Sequence, residues 1–290
     1  MEHSKEAHKN KLASRASLAI DARDGVARYD MACGLASMAR PLKKGAIRFE
    51  YKVKQTWVQA DLAMSGLELS DYDLGVLLAL IVLAERQKPE LQLGSKINNL
   101  LPNIEEENLA EGLDVVTVNT NFSEIKKILG VTSGNGNTND TIWESLKYLA
   151  MTIIDVKQGK QRAITHLIGY GKGLDDSLSV CLSYRLTKAL MGKGSYASIR
   201  MSTFNSLPKG TARILYVWLA SWFAGSFGTR TVRINTLVEN VWGKKIQKIT
   251  QNEMKERRRT IRNALTNIAT ISNEWGVEIV EDIAIVERKR

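Results

Sequence analysis

Six residues toward the C-terminal end carry side chains suited to reading nucleic acid: Asn252, Lys255, Arg259, Arg262, Asn263 and Thr266. At about 100° per residue they share one arc of a helix that opens near Thr250. The opposite arc holds Met254, Ile261, Ala264, Leu265 and Ile268, the side a core would take. Arginine pairs bidentately with O6 and N7 of guanine, and asparagine with N6 and N7 of adenine. Lysine supplies a point charge for phosphate, a contact that sets register without reading sequence. Arg258 adds a further cation, and Glu256 offers an acceptor for cytosine N4 or a tether for an arginine. The turn in front is basic as well, with Lys244, Lys245 and Lys248. Between Lys244 and Arg262 eight basic residues face two acidic ones, Glu253 and Glu256, so few acidic partners stand one helical turn from the arginines. A solvated charged face is the bland alternative. The basic turn and the place of this helix in the pattern described below favour duplex DNA.

The chain has 290 residues, 41 of them Lys or Arg against 31 Asp or Glu, for a net charge of +10. Residues 1–48 hold ten basic and five acidic residues, so that stretch and the segment Lys244–Arg262 carry the whole excess. Charge concentrated in this way selects a polyanionic partner. Enzymatic chemistry finds no support. There is no G-x-x-x-x-G-K-[ST], and the glycine-rich run Gly169–Gly173 leads into a strand, not into a phosphate-binding helix. His3, His8 and His166 are not at metal-ligand spacing, which also argues against the histidine pair of nicking enzymes. Tyr170 and Tyr184 lack that setting, and Asp175-Asp176 has the composition of a turn. Two cysteines, Cys33 and Cys181, cannot build a disulfide framework or a four-ligand zinc site. No metal, cofactor or catalytic residue is expected. The longest apolar run, Leu74 to Ala84, is too short to span a bilayer, and the N-terminus lacks a signal-peptide pattern. A soluble cytoplasmic protein with no membrane partner is expected.

Residues 1–44 are expected to form a basic N-terminal arm. Ile47, Phe49, Tyr51 and Val53 then alternate with charged residues, predicting a strand with those four on its buried face. Ser70 and Asp71 offer an N-cap to an apolar helix reaching Arg86. A strand at Val115–Val118 leads to a helix capped by Asn121 or Ser123 and stopped by Gly130. A second helix runs over Asn139–Ala150. Strands follow at Thr152–Lys157, Ala163–Tyr170 and Ser179–Ser183, then a short helix at Leu186–Met191. The order then recurs. Ala197–Met201 is a strand and Lys209–Ala224 an apolar helix. Thr231–Ile234 is a strand, and Asn235 caps a helix ending at Gly243. The long helix Gln251–Ile271 precedes strands at Gly276–Val280 and Ile283–Glu287.

Short helix, turn, longer helix and β-ribbon make a winged helix-turn-helix. The expected fold is α+β, two tandem winged helix-turn-helix domains forming a pseudo-repeat over 45–191 and 195–290. The long helix of the first domain presents Asp140, Thr141, Glu144, Lys147 and Tyr148, a nearly neutral face. Its candidate DNA contacts are Lys147 with Lys157, Lys160 and Arg162 on the hairpin, which form a wing or merely a soluble turn. The second domain is the expected anchor on DNA.

Several stretches together resemble a known family. They are Ala189-Leu190-Met191-Gly192-Lys193-Gly194, Ile199-Arg200-Met201, Thr211-Ala212-Arg213-Ile214-Leu215, Val241-Trp242 and Arg257–Leu265. In this order they are similar to RepC, the iteron-binding replication initiators of IncQ-type plasmids. A looser likeness runs through Tyr29–Leu35 and Leu42–Gly45, while the turn Gly243–Thr250 and the acidic stretch near Glu105 depart from the pattern. The resemblance implies binding to directly repeated origin sequences in double-stranded DNA, opening of the neighbouring AT-rich duplex and loading of a separate replicative helicase. It also implies tandem winged helices and a homodimer in equilibrium with monomer. Two such helices would enter successive major grooves about 34 Å apart. The alternative is a winged-helix transcriptional repressor or autoregulator without an initiator role, told apart by a promoter palindrome in place of origin repeats. A partner-binding protein using the apolar helices Leu74–Ala84 and Ile214–Ala224 is a third possibility, though core is expected for both.

Overall fold

The computed structural model describes residues 25–30, 35–42, 45–56, 61–87, 116–131, 138–158, 161–173, 175, 177–183, 186–187, 190, 196–223, 226–243 and 249–289. The fold is mixed α+β. The first half contains β1 (Val26–Asp30), α1 (Leu35–Met38), β2 (Glu50–Thr56), β3 (Asp61–Leu67), α2 (Asp71–Gln87), β4 (Val116–Asn121), α3 (Phe122–Ile128) and α4 (Thr138–Ala150). Next come β5 (Ile153–Gln158), β6 (Gln161–His166), β7 (Ile168–Lys172) and β8 (Ser177–Leu182). The second half holds β9 (Tyr196–Arg200), α5 (Met201–Ser206), α6 (Thr211–Phe223), β10 (Gly228–Arg233), α7 (Ile234–Trp242), α8 (Gln251–Ile271), β11 (Trp275–Val280) and β12 (Ile283–Arg288).

Helix α2 lies at the centre of the first half because its sequence leaves it no solvent face: Leu74 through Ala84 are all buried. Burying one such side chain is worth about 1.5–3 kcal/mol. Ser70 and Asp73 open the helix reciprocally. The Asp73 N–H donates to Ser70 Oγ at 3.1 Å, and the Ser70 N–H donates to Asp73 Oδ2 at 2.6 Å. Gly75 permits close approach, since a Cβ there would lie 3.1 Å from Phe204 Cε1 and 3.2 Å from Leu129 Cδ2. Helix α6 plays the same part in the second half. Its Tyr216 and Phe223 meet the buried Trp275 edge-on at centroid distances of 6.4 and 5.3 Å.

The internal repeat is visible in the sheets. In one, β4 pairs with β8 and β8 with β7; in the other, β10 pairs with β12 and β12 with β11. Each time the strand before the two helices lies beside the last strand of the hairpin that follows them. The hairpin expected to serve as the first ribbon does not hold that position. β5 and β6 instead extend a four-stranded sheet of order β2-β3-β5-β6. The expected strand Ala163–Tyr170 is broken at Leu167, which is buried and carries the chain from one sheet to the other. Its N–H donates to Thr152 O at 2.8 Å, and its carbonyl accepts from Ser183 N at 3.0 Å.

Two further expectations change. Residues 25–30 and 35–42, assigned to an arm, belong to the folded body. β1 runs antiparallel to β9 with Val26 opposite Arg200 and Asp30 opposite Tyr196, and Arg40 is 4% exposed. The strand parity expected over 47–53 also fails at its start: Ile47 is 78% exposed and Phe49 65%. Regular pairing begins only at Glu50, and Arg48 between them turns inward, donating to Asp73 Oδ2 at 2.6 Å with its guanidinium 3.7 Å from the Tyr148 ring centroid.

Candidate nucleic-acid interface

Helix α8 owes its start to Thr250, whose Oγ1 accepts from the Glu253 N–H at 3.2 Å. Its apolar stripe, Ile261, Ala264, Leu265 and Ile268, is buried against α6, α7 and β11, and Met254 packs on the rim of that core. Burial of this stripe turns the other arc to solvent. Asn252, Lys255, Arg259, Asn263 and Thr266 are exposed, and Arg262 is half-buried. The spacing argument therefore places five of the six expected residues on one open face. The Thr266 hydroxyl donates to Arg262 O at 3.1 Å, leaving its oxygen as an acceptor.

The expected scarcity of acidic partners does not hold. Arg257 pairs with Glu253 at 2.5 Å and lies 5.4 Å from the centroid of the Trp242 ring, which ties α8 to the end of α7. Arg259 meets Glu256 at 2.7 Å, so Glu256 acts as a tether. Arg262 reaches the β11–β12 turn, donating to Glu281 O at 2.9 Å beside Asp282 Oδ1 at 3.5 Å. Arg258, expected among the DNA contacts, is half-buried and donates from Nε to Asn235 Oδ1 at 2.7 Å. Asn235 thus braces α8 and does not cap α7. Arg233 holds the N-cap position with no side-chain bond there, and α7 closes at its other end on Gly243, with φ 84°. Lys255 has no acidic partner among the described residues. Lys244, Lys245 and Lys248 lie outside them.

A family model for replication protein C (RepC) matches residues 25–285. The chain belongs to the RepC family. The match starts one residue before β1 and runs into β12. A crystal structure of domains 2 and 3 of RctB is similar at a TM-score of 0.51, with 10% identity over 85% of this chain and 94% of that one. A second structure of RctB domains 2–3 gives a TM-score of 0.49 and 12% identity over 89% and 97%. The first of these supports a shared fold. No curated protein matches by sequence.

In this RepC-family chain the first repeat builds a different surface. On α4, Asp140, Glu144 and Lys147 are exposed, and the Tyr148 hydroxyl donates to Glu144 at 3.1 Å. Lys157 is exposed and opposes Arg162 across β5–β6, in the four-stranded sheet and outside the three strands that frame α3 and α4; Lys160 lies outside the described residues. The hairpin in the ribbon position is β7–β8, where Lys172 is the exposed cation. Sequence spacing missed the outer edge of the second repeat. On β10, Thr229, Thr231 and Arg233 are exposed while Arg230 and Val232 alternate inward. That period-2 pattern was present in the sequence, but the strand was expected to begin only at Thr231. No helix among the described residues is long and apolar enough to cross a membrane, and those residues contain no cluster of His, Cys, Asp and Glu able to hold a metal.

Proposed function

We propose that this RepC-family protein is a plasmid replication initiator that binds directly repeated sequences (iterons) in double-stranded origin DNA through α8. The supporting observation is the division of α8 into a fully buried apolar stripe and an open arc bearing Asn252, Lys255, Arg259 and Asn263. A helix anchored on one side and furnished with amide, guanidinium and ammonium groups on the other meets the demands of major-groove readout. The sheet order β10-β12-β11 around α7 and α8 supports a winged helix-turn-helix, and β4-β8-β7 around α3 and α4 supports a second. Phosphate contacts from Lys255, and from Lys244, Lys245 and Lys248 just ahead of α8 in the sequence, set the register.

Bound at several repeats, such copies bend the duplex and load strain onto flexible neighbouring steps, which favours opening. Loading of a separate replicative helicase and a homodimer–monomer balance complete the proposal, with the chain acting by binding and no catalytic step of its own. The deciding experiment compares binding to duplex carrying the plasmid's direct repeats with binding to scrambled duplex across a salt series. Preferential binding to the repeats, weakened by Arg259→Ala and Arg262→Ala and falling steeply with salt, is expected. Equal affinity for both duplexes would sink the initiator assignment.

A further inference from the structure

The turn joining β11 to β12 carries Glu281 and Asp282, where a ribbon laid along phosphates would carry lysine or arginine. Glu281 has φ 53°, a left-handed conformation that non-glycine residues seldom adopt. Two hydrogen bonds pin this turn. The N–H of Ile234, first residue of α7, donates to Asp282 O at 2.9 Å, and Arg262 Nη2 donates to Glu281 O at 2.9 Å. The Asp282 carboxylate stands 3.5 Å from the same guanidinium nitrogen. The start of α7 and, through Arg262, the middle of α8 therefore converge on the hairpin turn. That arginine keeps 39% of its side chain exposed beside the open arc, so the rest of its planar fork stays available to a ligand.

We propose that Asp282, together with the Glu281 carbonyl, is a positioning residue that sets DNA specificity by aiming Arg262 and placing a carboxylate beside it. This rests on the assignment of α8 to the DNA interface. An exposed ion pair of this kind adds little to stability. Its effect lies in discrimination. A carboxylate at the rim repels the backbone of every duplex, whereas a base edge that accepts the aimed fork offsets that repulsion only on the right sequence. An untethered Arg262 would instead serve as one more phosphate contact and strengthen binding to any DNA.

Asp282→Asn keeps the backbone carbonyl that Ile234 uses and removes only the charge. Binding to repeat and scrambled duplexes across a salt series is measured for wild type, Asp282→Asn, Arg262→Ala and the double variant. Asp282→Asn is expected to tighten scrambled-duplex binding several-fold, to steepen its salt slope by about one, and to lower the repeat-to-scrambled ratio by about threefold or more. In the Arg262→Ala background the same substitution should leave that ratio unchanged. An equal shift on both duplexes, or a fall in ratio that persists without Arg262, overturns the proposal. Should Asp282→Asn fail to fold, Arg262→Lys replaces it. That variant keeps the charge and loses the fork, so the ratio should drop at constant salt slope, and an unchanged ratio counts against the clamp. Lys255→Ala and Arg259→Ala serve as reference. If neither weakens binding to either duplex, the α8 interface itself is wrong; if they do and Asp282→Asn behaves as wild type, only the clamp is wrong.

Discussion

Lys255 and Arg259 stand one turn apart on the open arc of α8, yet different forces hold them. Arg259 is tethered to Glu256 at 2.7 Å with 71% of its side chain exposed, while Lys255 has no acidic partner among the described residues. An exposed tether contributes well under 1 kcal/mol to stability, so its use is to limit the directions the guanidinium samples. The two side chains should therefore fail differently. Lys255→Ala should weaken repeat and scrambled duplex alike and lower the salt slope by about one, as loss of one phosphate contact does. Arg259→Ala should cost about 1–3 kcal/mol on the repeat and much less on scrambled DNA, because a bidentate base contact is lost. Fluorescence anisotropy over a salt range measures both. Uniform weakening by Arg259→Ala would move that residue to the phosphate backbone.

At the scale of elements, the helix opposite α8 in the pseudo-repeat is held by one buried carboxylate. Asp73, 1% exposed, accepts from Arg48 Nη1, Ser70 N and Oγ, and Ser145 Oγ, each at 2.6–2.7 Å, so α2, α4 and the residue pair ahead of β2 meet at one side chain. Asp73→Ala should cost about 3–5 kcal/mol in denaturant unfolding, since it leaves Arg48 without its counter-charge. Asp71→Ala, removing a longer 3.8 Å pair with Arg213, should cost clearly less. The α6–β9 junction answers to pH. Burial, with smaller contributions from its surroundings, pushes the Tyr216 phenol up from 10.0 to about 12, and its oxygen accepts from Arg200 N at 3.1 Å. The unfolded chain releases that proton first, so the contribution is complete below pH 10 and is lost as pH rises toward about 12. Urea midpoints from pH 9 to 11.5 should fall, and Tyr216→Phe should flatten the decline. Legibility in the sequence followed locality. The bounds of α8 were readable because a cap and a helical stripe are local signals, and the burial of Leu74–Ala84 was readable from composition. The sheet to which β5 and β6 belong was not, because strand partners are chosen by distant packing and no glycine or proline stands at Leu167 to mark the bend. The tether on Arg259 is one of the two roles the sequence left open for Glu256, decided by a rotamer, whereas the tether on Arg262 escaped because it comes from a hairpin about twenty residues away.

Across the whole molecule, the two repeats are joined more closely than a boundary between residues 191 and 195 implies. β1 supplies the partner of β9, and Asn205 donates from Nδ2 to Ile128 O at 2.7 Å, binding α5 to the end of α3. Arg40 is the innermost of these ties. Its guanidinium lies 4.3 Å from the Tyr51 ring centroid and 3.9 Å from Glu68, and Nη1 donates to the carbonyls of Asn240 at 3.5 Å and Val241 at 3.4 Å, at the negative end of α7. A residue from the start of the chain thus braces the helix that leads into α8. A fragment of residues 195–290 would retain α5 to β12 but lose β1, Arg40 and the α2 surface on which α6 packs. It should melt broadly or at a markedly lower temperature than the full chain, which should unfold in a single transition seen alike by circular dichroism and tryptophan fluorescence. Arg40→Met in the full chain should lower stability by about 1–3 kcal/mol, because the helix-end carbonyls lose a buried donor. A fragment that melts as sharply and as high as the intact protein would mean that the second repeat is an independent domain. The orientation of α8 would then be set within that repeat alone, and binding by the fragment should match the full chain contact for contact. The packing argues for the opposite result: a fragment that binds DNA weakly because the helix presenting Lys255 and Arg259 is no longer held from behind.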